Sequence, residues 1–176
     1  MNLILLLNSH FSIITYQDMT EKDEYFMRRA ISLAQEGIDS NSGGPFGAVV
    51  VKDGEIIGEG CNRVTSTNDP TAHAEVVAIR NACQKLNSFQ LDDCILYTSC
   101  EPCPMCLGAI YWARPSKIFY AATHIDAANI GFDDQFIYEE IERETGERQI
   151  KTVNLLREEG LKVFRNWENK TDKTKY

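Results

Sequence analysis

Asp69-Pro70-Thr71-Ala72-His73-Ala74-Glu75 and, further along, Ser99-Cys100-Glu101-Pro102-Cys103-Pro104-Met105-Cys106 each bring metal-type side chains to what reads as the start of a helix. Pro70 precedes an apolar periodic stretch, which predicts a helix from about Thr71 to Leu86 with His73 and Glu75 in its first turn. Pro104 suits the first turn of the next helix, so Cys103 and Cys106 sit at its N-terminus, where the helix dipole favours ionised thiolates. Ala113-Arg114-Pro115 ends that helix. Cys94 to Ser99 before it reads as a buried strand and Lys117 to Ala122 after it as another, and a strand, helix and strand in succession imply a right-handed parallel crossover. Upstream, Phe46 to Lys52 and Glu55 to Asn62 are β-rich and flank Asp53-Gly54, a strong hairpin signal. Earlier still, Phe26, Ala30, Leu33 and Ala34 recur at helical spacing up to Gly37, and Thr20 with Asp23 makes a capping pattern at the front of that helix. The expected fold is α/β, with helices packed on a mixed sheet.

Together the two stretches carry the equipment of a catalytic zinc site. Structural zinc takes four protein ligands in a tetrahedron, whereas catalytic zinc keeps one position for water. His73, Cys103 and Cys106 supply three ligands and leave that position open, for one Zn2+ per chain. Water on zinc ionises near pH ~7 rather than near 16. Glu75, two residues beyond the histidine, is placed to carry protons beside the metal without binding it. A lone Cys-x-x-Cys or His-x-Glu is a weak signal, but the two in this order form the signature of zinc nucleobase deaminases. The rival reading is a closed Cys3His site with Cys100 as fourth ligand, a structural module with no chemistry. That reading leaves Glu75 unexplained, and a chain of this length does not need zinc to fold. On the first reading Cys100 packs at the end of a strand.

Composition narrows the setting. The 176 residues, 43% hydrophobic and 25% charged, suit one globular domain with a sizeable core. The cysteines at 61, 83, 94, 100, 103 and 106 come without a secretory signal, and their closest spacing is metal-like, so thiols in a reducing cytoplasm are expected. A net charge of −8 argues against nucleic acid as partner, because binding phosphates requires Lys and Arg to displace counterions. No internal apolar run is long enough to span a bilayer, so no membrane partner is expected. The acidity is uneven: residues 124–147 carry eight acids and one Arg, whereas 157–176 carry six basic and four acidic residues, and the two segments are expected to attract. The apolar run Leu3-Ile4-Leu5-Leu6-Leu7 lacks the charges and cleavage site of a signal peptide. Residues 1–18 therefore read as an N-terminal extension outside the core, and 19–176 as the domain.

GGPFGAVVVKDG, NDPTAHAEV, TSCEPCPMCLGAIYWARP, GFDDQFIY and a terminal Tyr closely resemble the bacterial guanine deaminases of the cytidine-deaminase-like superfamily, along nearly the whole chain from Met19. The resemblance implies a three-layer α/β/α fold and hydrolysis of guanine to xanthine and ammonia. It implies zinc on His73, Cys103 and Cys106, with Glu75 as proton shuttle and Asp134 as a second acid. It also implies that Phe46, Asn62, Ala74, Trp112 and Tyr176 contact a small purine base: Asn62 reads the base through its amide, and Phe46 and Trp112 supply pocket aromatics. Bland readings of these residues are a turn residue for Asn62, core packing for Phe46 and Trp112, and a solvated or capping acid for Asp134 and its neighbour Asp133. In the family the C-terminal segment crosses to a second subunit, which implies a domain-swapped homodimer whose Tyr176 completes the partner's site. The alternatives within the superfamily are guanosine, cytosine or adenosine in tRNA, the last disfavoured by the net charge.

Overall fold

Thr20 opens the first helix as expected: its hydroxyl accepts the Asp23 N–H at 3.2 Å while Asp23 Oδ2 accepts the Thr20 N–H at 2.8 Å, a closed capping box. In the computed structural model, which describes residues 19–132 and 134–175, α1 (Glu21–Asp39) runs past Gly37, the expected terminator. The Ser40 hydroxyl ends it by donating to the Glu36 carbonyl at 2.7 Å. Gly37 answers a packing need instead, because a Cβ there would lie 3.2 Å from Cys61 Cβ. The extension 1–18 lies outside the described residues.

β1 (Gly47–Lys52) and β2 (Glu55–Cys61) pair antiparallel across Asp53-Gly54, both with positive φ as a tight hairpin turn requires. β3 (Ile95–Cys100) pairs antiparallel with β1, and β4 (Lys117–Ala122) pairs parallel with β3, giving a mixed sheet in the order β2-β1-β3-β4. α4 (Pro104–Ala113) makes the crossover between the two parallel strands.

Alternation along β1 builds the three layers. Val49 and Val51 face α1 and pack with Phe26, Ala30, Leu33 and Tyr97. Ala48 and Val50 face the other way, against α3 (Ala74–Leu86) and α4, in a core of Ala74, Ala78, Ala82, Leu96 and Ile110. Burial on both faces is why this strand reads as a continuous apolar run. α3 lies close on the sheet because Gly58 and Gly60 of β2 have no side chain: a Cβ at Gly60 would stand 2.4 Å from the Ala74 carbonyl oxygen.

α3 begins later than expected. The Asp69 carboxylate accepts the Thr71 N–H at 2.8 Å and the Thr71 hydroxyl at 2.7 Å, and the Ala72 carbonyl accepts Arg63 N–H at 2.9 Å. These bonds hold residues 69–72 in a turn, so His73 is the extended N-cap and Ala74 the first helical residue. Short α2 (Val64–Thr67) follows β2, and α5 (His124–Asn129), α6 (Gln135–Glu142) and α7 (Arg157–Asn169) follow β4. α7 buries none of its residues against the chain. The ion pairs recorded in the acidic and basic C-terminal segments, Arg143–Glu140, Arg157–Glu158 and Lys170–Asp172, each form within one segment, so the expected attraction is not seen among the described residues.

Candidate metal centre and active site

Three ligand atoms meet where two helices begin. His73 caps α3 and Cys103 caps α4, so both helices point their positive ends at one spot, and Cys106 Sγ arrives from the first turn of α4. His73 Nδ1 lies 3.5 Å from Cys103 Sγ and 3.4 Å from Cys106 Sγ, and the three atoms all fall within 4.8 Å of one another. Tetrahedral zinc with Zn–S near ~2.3 Å and Zn–N near ~2.0 Å separates N and S by roughly 3.5 Å, so the donor set fits zinc in kind and in spacing.

The electrostatics of the trio suit a cation. Cys106, hydrogen-bonded to Cys103, and the His73 imidazole beside it hold the Cys103 thiol down to about 4 despite burial. Cys106, facing that sulfur and buried, is pushed far up. His73 is raised above the usual imidazole value by its bond to Cys103. Cys100 is not part of this cluster. It ends β3, its thiol donates to the Thr123 carbonyl at 3.5 Å, and burial raises it to about 11, which describes a protonated packing thiol. Among the described residues the metal cluster is therefore His73, Cys103 and Cys106, and the closed Cys3His site is not formed.

Glu75 is only 5% exposed, an unusual setting for a carboxyl. Burial raises its pKa above the usual carboxylate range. Thr98 of β3 donates to its Oε1 at 3.3 Å and the Cys106 thiol to its Oε2 at 3.4 Å, so the acid stands beside the ligands without being one of them. A buried carboxyl whose pKa is raised, next to a metal cluster, is arranged for proton transfer.

The trio and Glu75 border a cavity of about 630 Å³, which suits a small organic ligand. Phe46 forms one wall with Phe132, their rings edge to face with centroids 4.9 Å apart. Asn62 is buried, and its Oδ1 accepts the Gly44 and Val64 N–H groups at 3.2 Å each, leaving the amide NH2 as the side chain's donor. Asn62 thus fixes the Gly43-Gly44 loop as well as lining the cavity. Asp134 also lines the cavity, and its side chain makes no cap bond to α6.

Two expected contacts are placed differently. Trp112 is 66% exposed and borders a separate groove with Phe89 and Trp167, because it stands six residues from Cys106 and so projects from another face of α4. Phe132 takes its place as the second cavity aromatic, a loop residue with no periodic signal. Ala74 is fully buried against β2 between His73 and Glu75, and its methyl is not part of the cavity wall. Tyr176 and Asp133 lie outside the described residues. Glu101 and His124, which sequence reasoning passed over, are joined at 2.6 Å on the cavity wall. The glutamate's place inside Cys-Glu-Pro-Cys was the available hint.

A family model described as the cytidine and deoxycytidylate deaminase zinc-binding region matches residues 20–122. The chain belongs to that family. The chain is 61% identical to guanine deaminase from Bacillus subtilis over 153 residues, 87% of this chain and 98% of that protein. The crystal structure of the Bacillus subtilis enzyme superposes with a TM-score of 0.86 at 60% identity, covering 90% of this chain and 99% of that one. Guanine deaminase from Nitrosomonas europaea matches with a TM-score of 0.61 at 34% identity over 65% of each chain. A tRNA-specific adenosine deaminase from Aquifex aeolicus is 42% identical over 99 residues, 56% of this chain and 65% of its own length. The three-layer fold, the mixed sheet and the zinc-binding character expected from the sequence all stand.

Proposed function

We infer that the protein is a zinc-dependent guanine deaminase, hydrolysing guanine to xanthine and ammonia. The observation that carries this is the 61% identity to Bacillus subtilis guanine deaminase across nearly all of both chains, with the family's metal trio and a buried acid on one cavity. The tRNA-specific relative aligns over about half of the chain, and the net charge of −8 does not suit a polyanion.

Zinc held by His73, Cys103 and Cys106 supplies Lewis acidity, lowering the pKa of water to about 7. Glu75 takes a proton from the attacking water and delivers it to N3 of guanine as C2 becomes tetrahedral. A second proton, passed by the same carboxyl to the amine on C2, lets ammonia leave as the C2–N bond breaks and the oxygen remains as the new carbonyl. The raised pKa of Glu75 supports this role, because a shuttle must hold the proton between the two transfers. Phe46 and Phe132 offer apolar ring surface to a flat base, and the Asn62 amide offers a hydrogen-bond donor. Asp134, on the cavity wall, offers an acceptor for ring N–H groups. Incubating pure protein with guanine, guanosine, adenine and cytosine while measuring ammonia tests the assignment: guanine should be turned over fastest, and preference for any other substrate refutes it.

We further propose a cytoplasmic homodimer in which the C-terminal segment reaches the partner's site. Two observations support it: all six cysteines are unpaired thiols, and α7 with the strand of chain before it leaves Leu155, Leu156, Val163 and Phe164 63–80% exposed. Such a run of bare apolar residues calls for a cover. Deleting Tyr176 should raise KM or lower kcat for guanine while leaving the dimer intact; a monomer on ultracentrifugation of the full chain refutes the proposal.

A further inference from the structure

Glu101 follows β3 directly, and its carboxylate makes two bonds to one residue: Oε2 accepts the His124 backbone N–H at 3.0 Å and the His124 Nδ1 proton at 2.6 Å. A carboxylate can only accept, so Nδ1 carries hydrogen, and Nε2 is a second donor when the ring is doubly protonated. That bond occupies Nδ1, so Nε2 is the ring nitrogen left to meet a ligand. Both residues border the cavity that holds Glu75 and the metal trio. His124 side-chain exposure of 37% shows that the ring is not packed away as core. The helix it begins does not need the ring, since Thr123 and Asp126 close that helix's capping box themselves.

The chemistry of the cavity wall gives this ring a task. Glu75, Glu101 and Asp134 are acceptors, and the Thr65 hydroxyl is engaged with the Ser42 carbonyl at 3.3 Å. Apart from the metal ligands, that leaves the Asn62 amide and the doubly protonated His124 ring as the donor side chains recorded on the wall. Guanine has the opposite need on one side. Its C2 must face Glu75, and the edge remote from C2 presents O6 and N7, both acceptors with no hydrogen of their own. We propose that His124, held by Glu101, is a substrate-binding residue that donates from Nε2 to this O6/N7 edge. The inference rests on the guanine reading above and adds a specificity contact to it. The bond to Glu101 raises the imidazole pKa, which favours the doubly protonated ring that such a donor requires. Glu101 is then a positioning residue, two places before the ligand Cys103 and tied by its own N–H to the Ala122 carbonyl at 2.8 Å, so metal and base-reading donor are referenced to the same strand end.

The test compares wild type, His124→Ala and His124→Gln, each checked for zinc content, on guanine, 7-deazaguanine (no N7) and 2-aminopurine (no O6). Loss of one hydrogen bond to substrate should raise the guanine KM of His124→Ala about tenfold with kcat little changed. For the analogue that lacks the contacted acceptor, the same substitution should leave KM unaltered. His124→Gln keeps a donor and should recover part of the guanine affinity, and it serves for the comparison should His124→Ala lose zinc. An unchanged guanine KM in a zinc-replete His124→Ala overturns the proposal. So does an equal rise for all three bases, which would mean that the ring only packs. The wild-type arm separates the two readings: turnover of guanine with no His124 effect leaves the deaminase assignment standing and removes only this contact.

Discussion

Replacing Gly60 with alanine perturbs the candidate active site from behind. The new Cβ would lie 2.4 Å from the Ala74 carbonyl oxygen, 2.7 Å from Ala78 N and 2.9 Å from Val77 Cβ. The two nearest atoms are helix backbone, so no rotamer change relieves them. Restoring ordinary contact distances requires the start of α3 to move off the sheet by about 1 Å, a strain of the kind that costs about 1–3 kcal/mol in a packed core. Ala74 stands between His73 and Glu75, so the same movement displaces a metal ligand and the proton carrier together. A misplacement of roughly 1 Å in a catalytic site costs on the order of a hundredfold in rate. Gly58→Ala is the matched control, because its Cβ would meet Ala78 O at 2.4 Å and Ala82 N at 2.7 Å, one turn further from the metal. Thermal melts and ammonia release from zinc-replete protein should show both variants destabilised alike, with kcat falling far more in Gly60→Ala. Equal losses of kcat would mean that the damage is global, and wild-type kcat in Gly60→Ala would refute the claim that sheet contact sets the position of His73 and Glu75.

Other substitutions probe single parts of the site and fold. Glu75→Gln should keep zinc and lose about 10²–10⁴ in kcat, since an amide cannot carry the proton; activity near wild type would end its assignment. Cys103→Ala should lose metal by elemental analysis while Cys100→Ala keeps it, because the Cys100 thiol points to the Thr123 carbonyl. Tyr97→Phe removes a 2.5 Å bond to Asp23 Oδ1 and should cost about 1–2 kcal/mol at neutral pH. Burial raises the Asp23 pKa, but bonds from Tyr97 and Thr20 outweigh it and hold the carboxyl below its usual value. Its stabilisation is therefore present above the ordinary carboxylate pKa and fades as pH falls through the lower folded value, so the gap between wild type and Tyr97→Phe should narrow below about pH 4 in urea melts.

The metal trio was legible because its chemistry is written locally. A Cys-x-x-Cys with proline inside it can do little except start a helix with both sulfurs at the N-terminus, and the observed N-cap and first-turn positions of Cys103 and Cys106 follow from that. The hairpin at Asp53-Gly54 and the capping box at Thr20 were legible for the same reason, each being a bond pattern among neighbours. What the sequence concealed depends on contacts between distant residues. Asp69 delayed α3 by bonding Thr71, a choice between turn and helix that the apolar periodicity does not record. Phe132 reached the cavity from a loop, where no period predicts facing. Trp112, which the resemblance implies as a pocket aromatic, stands away from the cavity of its own chain. Ile110 and Ala113, four and seven residues after Cys106, share its buried face, whereas a residue six places on lies about 240° around the helix. The rotation that carries Cys106 inward therefore carries Trp112 outward, to the groove it borders with Trp167 of the otherwise bare α7. A functional role for that tryptophan must come from what covers this groove rather than from the wall of its own chain's cavity.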